Sequence, residues 1–345
     1  MTGLGRLTRS ATDTVSVLGF KIGWSSLKAL PEPVAYALFD RIADLAVLRR
    51  GKGITRLRAN YARARPELDA GQLDALVRAG MRSYMRYYCE AFRLPSTGRE
   101  RIDAAVRVTG LDGPLAFARR GETVVVFVGH LGNFDLAAAW AASNLAPVTT
   151  VAERLKPEEV FQEFVAFRNS IDMDIIPLTG GDDPFASLLA VARAGGRAIA
   201  LASDRDLTRH GVEVDLLGHR ARMAKGPAVL SLMTGAPLFC ATIHYEPAPK
   251  GTGLGGYRSV IEFSPRLMPR VAGSSAVKAQ DLIQQCADYL TLTIRAHTSS
   301  WHMLQKIFVD DLDPAHDTAN DTAHDTVRDS ASSTTRELAS EGEST

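Results

Sequence analysis

Five apolar residues, Val124 to Val128, run into Gly129 and His130, and Asp135 follows five positions after the histidine. A histidine beside a carboxylate is a proton-transfer pair: an aspartate that accepts from the imidazole Nδ1–H leaves Nε2 as a base. The apolar run predicts an interior strand, and residues just beyond a strand's carboxyl end line the ligand crevice of an α/β sheet. Gly129 and Gly132 permit a tight turn around His130, while Asn133 can cap the next helix or bind a ligand. The same spacing also fits a capping aspartate beside a strand-end histidine that does no chemistry.

A second polar cluster follows a second apolar run, Ala198 to Ala202, and places Asp204, Arg205, Asp206, Arg209 and His210 beyond that strand's carboxyl end. Two polar clusters then border one crevice. Arg205, Arg209, Arg222 and Lys225 supply fixed positive charge suited to a phosphate-bearing substrate. Taken singly, each also fits a solvated or salt-bridged surface group.

The elements that must position these residues are legible in the period of the apolar residues. From Val106, short Val- and Ile-rich runs ("TVVVFV", "PVTTVA", "DIIPL", "AIALAS", "EVDLLG", "APLFCATIHY", "YRSVIEFS") alternate with helical patterns at 132–144, 157–171, 184–195 and 224–234. This predicts an α/β fold with a central, mostly parallel sheet flanked by helices over 106–309, closed by a helix from Gln280 to His297. Residues 1–105 read instead as an N-terminal helical subdomain: one helix over Val15 to Leu30, a second from Pro33 through Arg50, and a longer one from Ala70 to Phe92 whose run "SYMRYYCEAF" suits packing. The first two are amphipathic and basic, a pattern that serves either a solvated face or an anionic lipid surface.

The net charge of +1 conceals two opposed ends. Residues 1–65 carry twelve Lys/Arg against four Asp/Glu, and 310–345 carry ten Asp/Glu against two Arg. The acidic end, with its approximate HDTA/NDTA repeat, is too poor in apolar residues to fold and is expected to be a disordered tail; His316 and His324 within it are not expected to hold a metal. Cys89, Cys240 and Cys286 form neither a disulfide framework nor a metal pattern, which suits a reducing compartment. No run is apolar enough to span a bilayer, so membrane contact is expected to be peripheral. A near-neutral core without a recognition motif argues against nucleic-acid binding.

At its polar clusters the chain resembles a family. "HLGNFD" (130–135), "TTVAERLKPEEVFQEFVAFR" (149–168), "PLTGGDDPF" (177–185), "SDRDLTRHGVEVDLLGHRARMAKGPA" (203–228), "MTGAPLF" (233–239) and "WHMLQ" (301–305) are similar to the bacterial acyltransferases that acylate glycolipids through an H-x4-D motif. Within them the similarity is greatest to the actinobacterial branch acting on phosphatidylinositol mannosides, and it covers residues 15–309. The resemblance implies an O-acyltransferase that moves a fatty acyl group, palmitoyl, from acyl-CoA to the 6-hydroxyl of the mannose at position 2 of inositol in phosphatidylinositol mono- or dimannoside. It implies acyl-CoA as co-substrate, no metal, and a peripheral location on anionic lipid at the cytoplasmic face of the cell membrane.

By the same resemblance His130 is the base, and the family's second catalytic position, a glutamate in "ERDL", falls on Asp204 of "DRDL". Aspartate is one methylene shorter, so three arrangements stay open: a closer backbone, a bridging water, or Asp135 pairing with His130 instead. Arg168 matches an arginine the family places near acyl-CoA, and His210 stands where the family lines that co-substrate with a small polar residue. Turn N–H groups near Gly132 and Asn133 are candidate oxyanion donors. With no G-x-S-x-G elbow and no cysteine beside His130, an acyl-enzyme is not indicated. A different glycolipid acceptor, or a non-catalytic lipid-binding role, are the competing readings.

Overall fold

In the computed structural model, which describes residues 30–153, 158–180, 183–206 and 210–312, four α-helices of the described residues precede the first strand. Helix α1 (Glu32–Arg49) starts at prolines, whose fixed φ suits a first turn, and stops where Arg50 turns left-handed at φ 47°. Helix α2 (Lys52–Ala64) follows after two residues, and α3 (Ala70–Arg93) opens with a capping box. There the Asp69 carboxylate accepts from the Gln72 N–H at 2.8 Å, and the Gln72 side chain accepts from the Asp69 N–H at 3.1 Å. The helix expected over 15–30 and the tail from 313 onward lie outside the described residues, as does Arg209.

A short helix α4 (Arg99–Ala105) leads into the α/β region: β1 (Val106–Thr109), α5 (Asp112–Ala118), β2 (Val124–Val128), α6 (Phe134–Asn144), β3 (Val148–Ala152), α7 (Glu158–Asn169), β4 (Met173–Pro177), α8 (Pro184–Ala194) and β5 (Ala198–Ala202). After a hairpin of β6 (Val212–Leu216) and β7 (His219–Met223) come α9 (Gly226–Thr234), β8 (Leu238–Pro247), β9 (Tyr257–Phe263) and α10 (Ser275–Ala296). The main sheet has the order β1-β9-β8-β2-β5-β3-β4. Its five strands from β8 to β4 run parallel; β9 is antiparallel to β8, and β1 is parallel to β9.

Two expectations shift. The "EVDLLG" run does not join the central sheet but forms the separate β6–β7 hairpin, which α10 covers through Gln284 donating to the Asp215 carbonyl at 3.0 Å. The closing helix starts at Ser275 rather than Gln280, because the Ser274 side chain accepts from the Val277 N–H and fixes an earlier first turn. Residues Asp310 to Leu312, grouped with the acidic tail on composition, are also ordered: Asp311 sits in a 3-10 turn and pairs with Arg56 (2.7 Å) and Arg63 (2.6 Å) of α2.

The alternation along β2 and β5 feeds two cores. Val125, Phe127, Ile199 and Leu201 pack into the large core with α9 and α10, whereas Val124 and Val126 face α6 on the other side of the sheet. On that second face β5 presents only alanines, Ala198, Ala200 and Ala202, opposite further alanines of α6. The missing side-chain volume leaves a cavity of about 350 Å³ between sheet and helix.

Candidate active site

Because β2 and β5 are adjacent and parallel, with Val128 paired to Ala202, the residues leaving their carboxyl ends arrive side by side. His130 and Asp204 are those residues. Nδ1 of His130 lies 2.6 Å from Asp204 Oδ1, and the His130 backbone N–H donates to Oδ2 at 2.9 Å, so one carboxylate fixes both the ring and the turn that carries it. A carboxylate only accepts, which puts the proton on Nδ1 and leaves Nε2 as the lone-pair nitrogen. Asp204 is 1% exposed and the His130 side chain 34% exposed, so a buried anion backs an imidazole that opens outward.

The electrostatics follow. Asp204 raises the His130 pKa above its ordinary value, against the opposing effect of burial. Burial pushes the Asp204 carboxyl up, but the facing imidazole and the two hydrogen bonds outweigh it and hold it low. Glycine is required at the turn for space: a Cβ on Gly129 would lie 2.6 Å from Leu131 Cδ1 and 3.2 Å from Asp204 Oδ2. Gly132 has φ +56°, and a Cβ there would meet the Ile243 backbone at 2.9 Å.

Of the three arrangements left open for the shorter aspartate, the direct one is found. Asp135 does not pair with His130. It is 1% exposed at the start of α6, where Tyr87 donates its hydroxyl to Oδ2 (2.8 Å) and Arg168 donates Nε to Oδ1 (3.1 Å). Arg168 thus reaches the site from α7 and lines the apolar cavity together with His130 and Asp135. Asn133 is fully buried; its side-chain oxygen caps α6 at Leu136 (2.9 Å) and its amide donates to Glu90 (2.7 Å). Its side chain therefore holds the helix start and does not line the cavity. The Leu131 and Gly132 N–H groups donate to Gly129 and Ser300 carbonyls, both at 2.8 Å, which removes Gly132 as an oxyanion donor.

Arg205 and His210 lie in the β5–β6 connection and Arg222 on β7, which the Asp206 N–H joins to that connection by donating to the Arg222 carbonyl at 2.9 Å. None of the three lines the apolar cavity. Arg222 lies 3.9 Å from Glu213 across the hairpin, and Arg205 bears on His130 as a nearby positive charge. Among the described residues no group of three His, Cys, Asp or Glu is placed to hold a metal ion, and no helix is long and apolar enough to cross a membrane.

Several supports have no chemical signature of their own in the sequence. The "WHMLQ" segment lies antiparallel to the His130 turn: Leu131 bridges Trp301, and the His302 N–H donates to the His130 carbonyl at 2.8 Å. The helical region holds that segment in turn. Tyr61 donates to the Trp301 carbonyl (2.9 Å), Asn60 to the Met303 carbonyl (2.8 Å), and Ser83 meets His302 Nε2 (2.9 Å). Burial and the charge of Arg86 pull the His302 pKa to about 3, so it is a neutral structural histidine. Glu90, on the same helix, is buried and its pKa rises to about 7, even though Asn133 and Tyr245 both donate to it at 2.7 Å.

Known proteins match this sequence along most of its length. The model for the bacterial lipid A biosynthesis acyltransferases matches residues 8–309. A phosphatidylinositol mannoside acyltransferase of Mycolicibacterium smegmatis is 38% identical over 298 residues, covering 86% of this chain and 93% of the relative. Another protein of that name, from Mycobacterium tuberculosis, is 36% identical over 308 residues, covering 89% of this chain and 91% of its own. These matches bear out the resemblance seen in the motifs: the chain belongs to the bacterial lipid A biosynthesis acyltransferase family.

Proposed function

We propose that this acyltransferase moves a fatty acyl group, palmitoyl, from acyl-CoA to the 6-hydroxyl of the mannose at position 2 of inositol in a phosphatidylinositol mono- or dimannoside, at the cytoplasmic face of the membrane. The observation that carries the proposal is the imidazole of His130, oriented by Asp204 at 2.6 Å and standing at an apolar cavity of about 350 Å³. That volume falls within the ~300–1,000 Å³ of small-ligand pockets, and its apolar lining suits an acyl chain. The names of the two mycobacterial relatives support the acceptor class.

In the proposed reaction His130 Nε2 takes the proton of the sugar hydroxyl as its oxygen attacks the thioester carbonyl. The tetrahedral intermediate collapses with loss of the CoA thiolate, which recovers the proton from the imidazolium. Asp204 stabilises that imidazolium, and such general-base help contributes about 10²–10⁴ in rate. The acyl group goes directly from thioester to hydroxyl, with no covalent enzyme intermediate. Arg168, held by Asp135, supplies a fixed cation near the donor.

The outer face of α1 supports a peripheral membrane location. Val34, Leu38, Ile42, Leu45 and Leu48 are all more than 40% exposed and form one stripe, flanked by the exposed Arg41, Arg49, Arg50 and Lys52. The test of the reaction uses labelled palmitoyl-CoA with phosphatidylinositol mono- and dimannoside, beside His130→Ala. Labelled mannoside formed only with intact His130 is expected. Free palmitate, or no product from a folded sample, would overturn the acceptor assignment.

A further inference from the structure

A second and larger cavity, about 660 Å³, lies between α1, α3 and the ends of β8 and β9, and it shares no lining residue with the apolar one. Its walls are polar and aromatic. Along α3, Arg78, Arg82 and Arg86 recur every four residues and so face it together. The first two share one carboxylate: each donates two hydrogen bonds to Asp44 of α1, at 2.7–2.9 Å, which ties α1 to α3 and leaves the trio one positive charge in excess.

Arg86 is different. Among the described residues no carboxylate is hydrogen-bonded to it, although the buried Glu90 one turn further along α3 feels its charge; its guanidinium lies 3.5 Å from the centroid of the Tyr257 ring and 5.2 Å from that of Tyr245. Stacking uses the faces of a guanidinium and leaves its in-plane N–H donors open, the geometry that pairs with a phosphate through two parallel hydrogen bonds. Asp40 of α1, on the same cavity, likewise makes no hydrogen bond within the described residues, and it is an acceptor that suits hydroxyl groups. Tyr36, on the same wall, adds an aromatic ring against which the C–H side of a polyol ring can pack.

We infer that this cavity is a subsite for a phosphodiester-linked polyol, the headgroup of an inositol-type anionic lipid, with the phosphate on Arg86 and the ring hydroxyls on Asp40. The inference rests on the proposed acceptor class and names where its headgroup is held. Placement supports it on both sides. Tyr36 and Asp40 belong to α1, whose neighbouring face carries the exposed apolar stripe, so a headgroup enters while its chains stay in the lipid layer. Ser300, on the opposite wall, accepts from the Gly132 N–H, so the cavity borders the turn that carries His130. A headgroup anchored there directs its sugar toward the base.

The test is calorimetric binding of glycerophosphoinositol to the full chain, with glycerol 3-phosphate, free inositol and CoA as comparison ligands. Glycerophosphoinositol is expected to bind more tightly than either fragment and to be indifferent to CoA. Arg86→Gln should weaken it at least tenfold, and Asp40→Asn, at a partly exposed helix position that tolerates the change, several-fold. Acceptor KM should rise in both variants while palmitoyl-CoA KM stays unchanged. No binding to the wild type, equal binding to both variants, displacement by CoA, or equal affinity for glycerol 3-phosphate would each overturn the subsite. Binding lost in the variants of a protein that fails to acylate mannosides would keep the subsite and remove the acceptor assignment; acylation with an unchanged acceptor KM does the reverse.

Discussion

One carboxylate performs two tasks at His130, and the tasks are separable by experiment. Asp204 accepts from the backbone N–H and from Nδ1, so replacing it with asparagine keeps an acceptor oxygen but removes the charge. That charge raises the pKa of His130 above the ordinary ~6.5. If His130 is the general base, as proposed, it acts when deprotonated, so the acid limb of kcat/KM reports this pKa, and removing the charge should shift that limb to lower pH. Loss of imidazolium stabilisation should lower the plateau by about 10²–10⁴. Profiles from about pH 5 to about pH 9 for wild type and Asp204→Asn check both; a limb that stays in place would show that Asp204 does not set the base. At this scale the sequence placed His130 and both carboxylates near one crevice. It did not choose between them, because Asp204 is 74 positions away and only the β2–β5 pairing brings it close.

The elements decide what stands beside the His130 imidazole. Strand β5 carries alternate alanines on one face and Ile199 and Leu201 on the other, so the same five residues make a cavity wall and a packed core. Ala200→Leu projects three added carbons into the apolar cavity. If the cavity holds the acyl chain, kcat/KM for a C16 thioester should fall about tenfold relative to a C8 thioester, the scale of a few methylene contacts. Equal losses for both lengths would place the chain elsewhere. Element type and order were readable from periodicity: β2, β3, β4, β5, β8 and β9 coincide with the apolar runs, and α3 and α6 through α9 with the helical ones. The β6–β7 hairpin departs from the central-sheet expectation because a half-buried antiparallel pair and a sheet strand share the period of two. Glu90 was missed for a different reason: its burial depends on Asn133 and Tyr245, 43 and 155 positions away, and no local pattern records that.

For the molecule as a whole, the helical region does two things at once. Its inner side holds the site through Tyr61, Ser83, Tyr87 and Glu90, so deleting it would damage the His130 turn along with any membrane surface. Its outer side, on α1, exposes an apolar stripe in which every residue from Val34 to Leu48 named above is at least 43% exposed. Surface substitutions separate the two roles. Leu38→Asp with Leu45→Asp alters residues that are 43% and 46% exposed and leaves Ala35, Phe39 and Ala43 to pack against the rest of the molecule. Each buried leucine contributes about 1.5–3 kcal/mol when it leaves water, and each basic residue near anionic lipid about 1 kcal/mol. The double variant should therefore lose at least tenfold in affinity for phosphatidylinositol-containing vesicles, while residual binding falls further with added salt. Its kcat on acceptor dispersed in detergent should match the wild type, since no residue of the His130 site has been touched. Vesicle flotation beside that assay reads both quantities. Undiminished flotation would move the membrane surface off α1, and loss of the detergent activity would show that the stripe supports the fold instead.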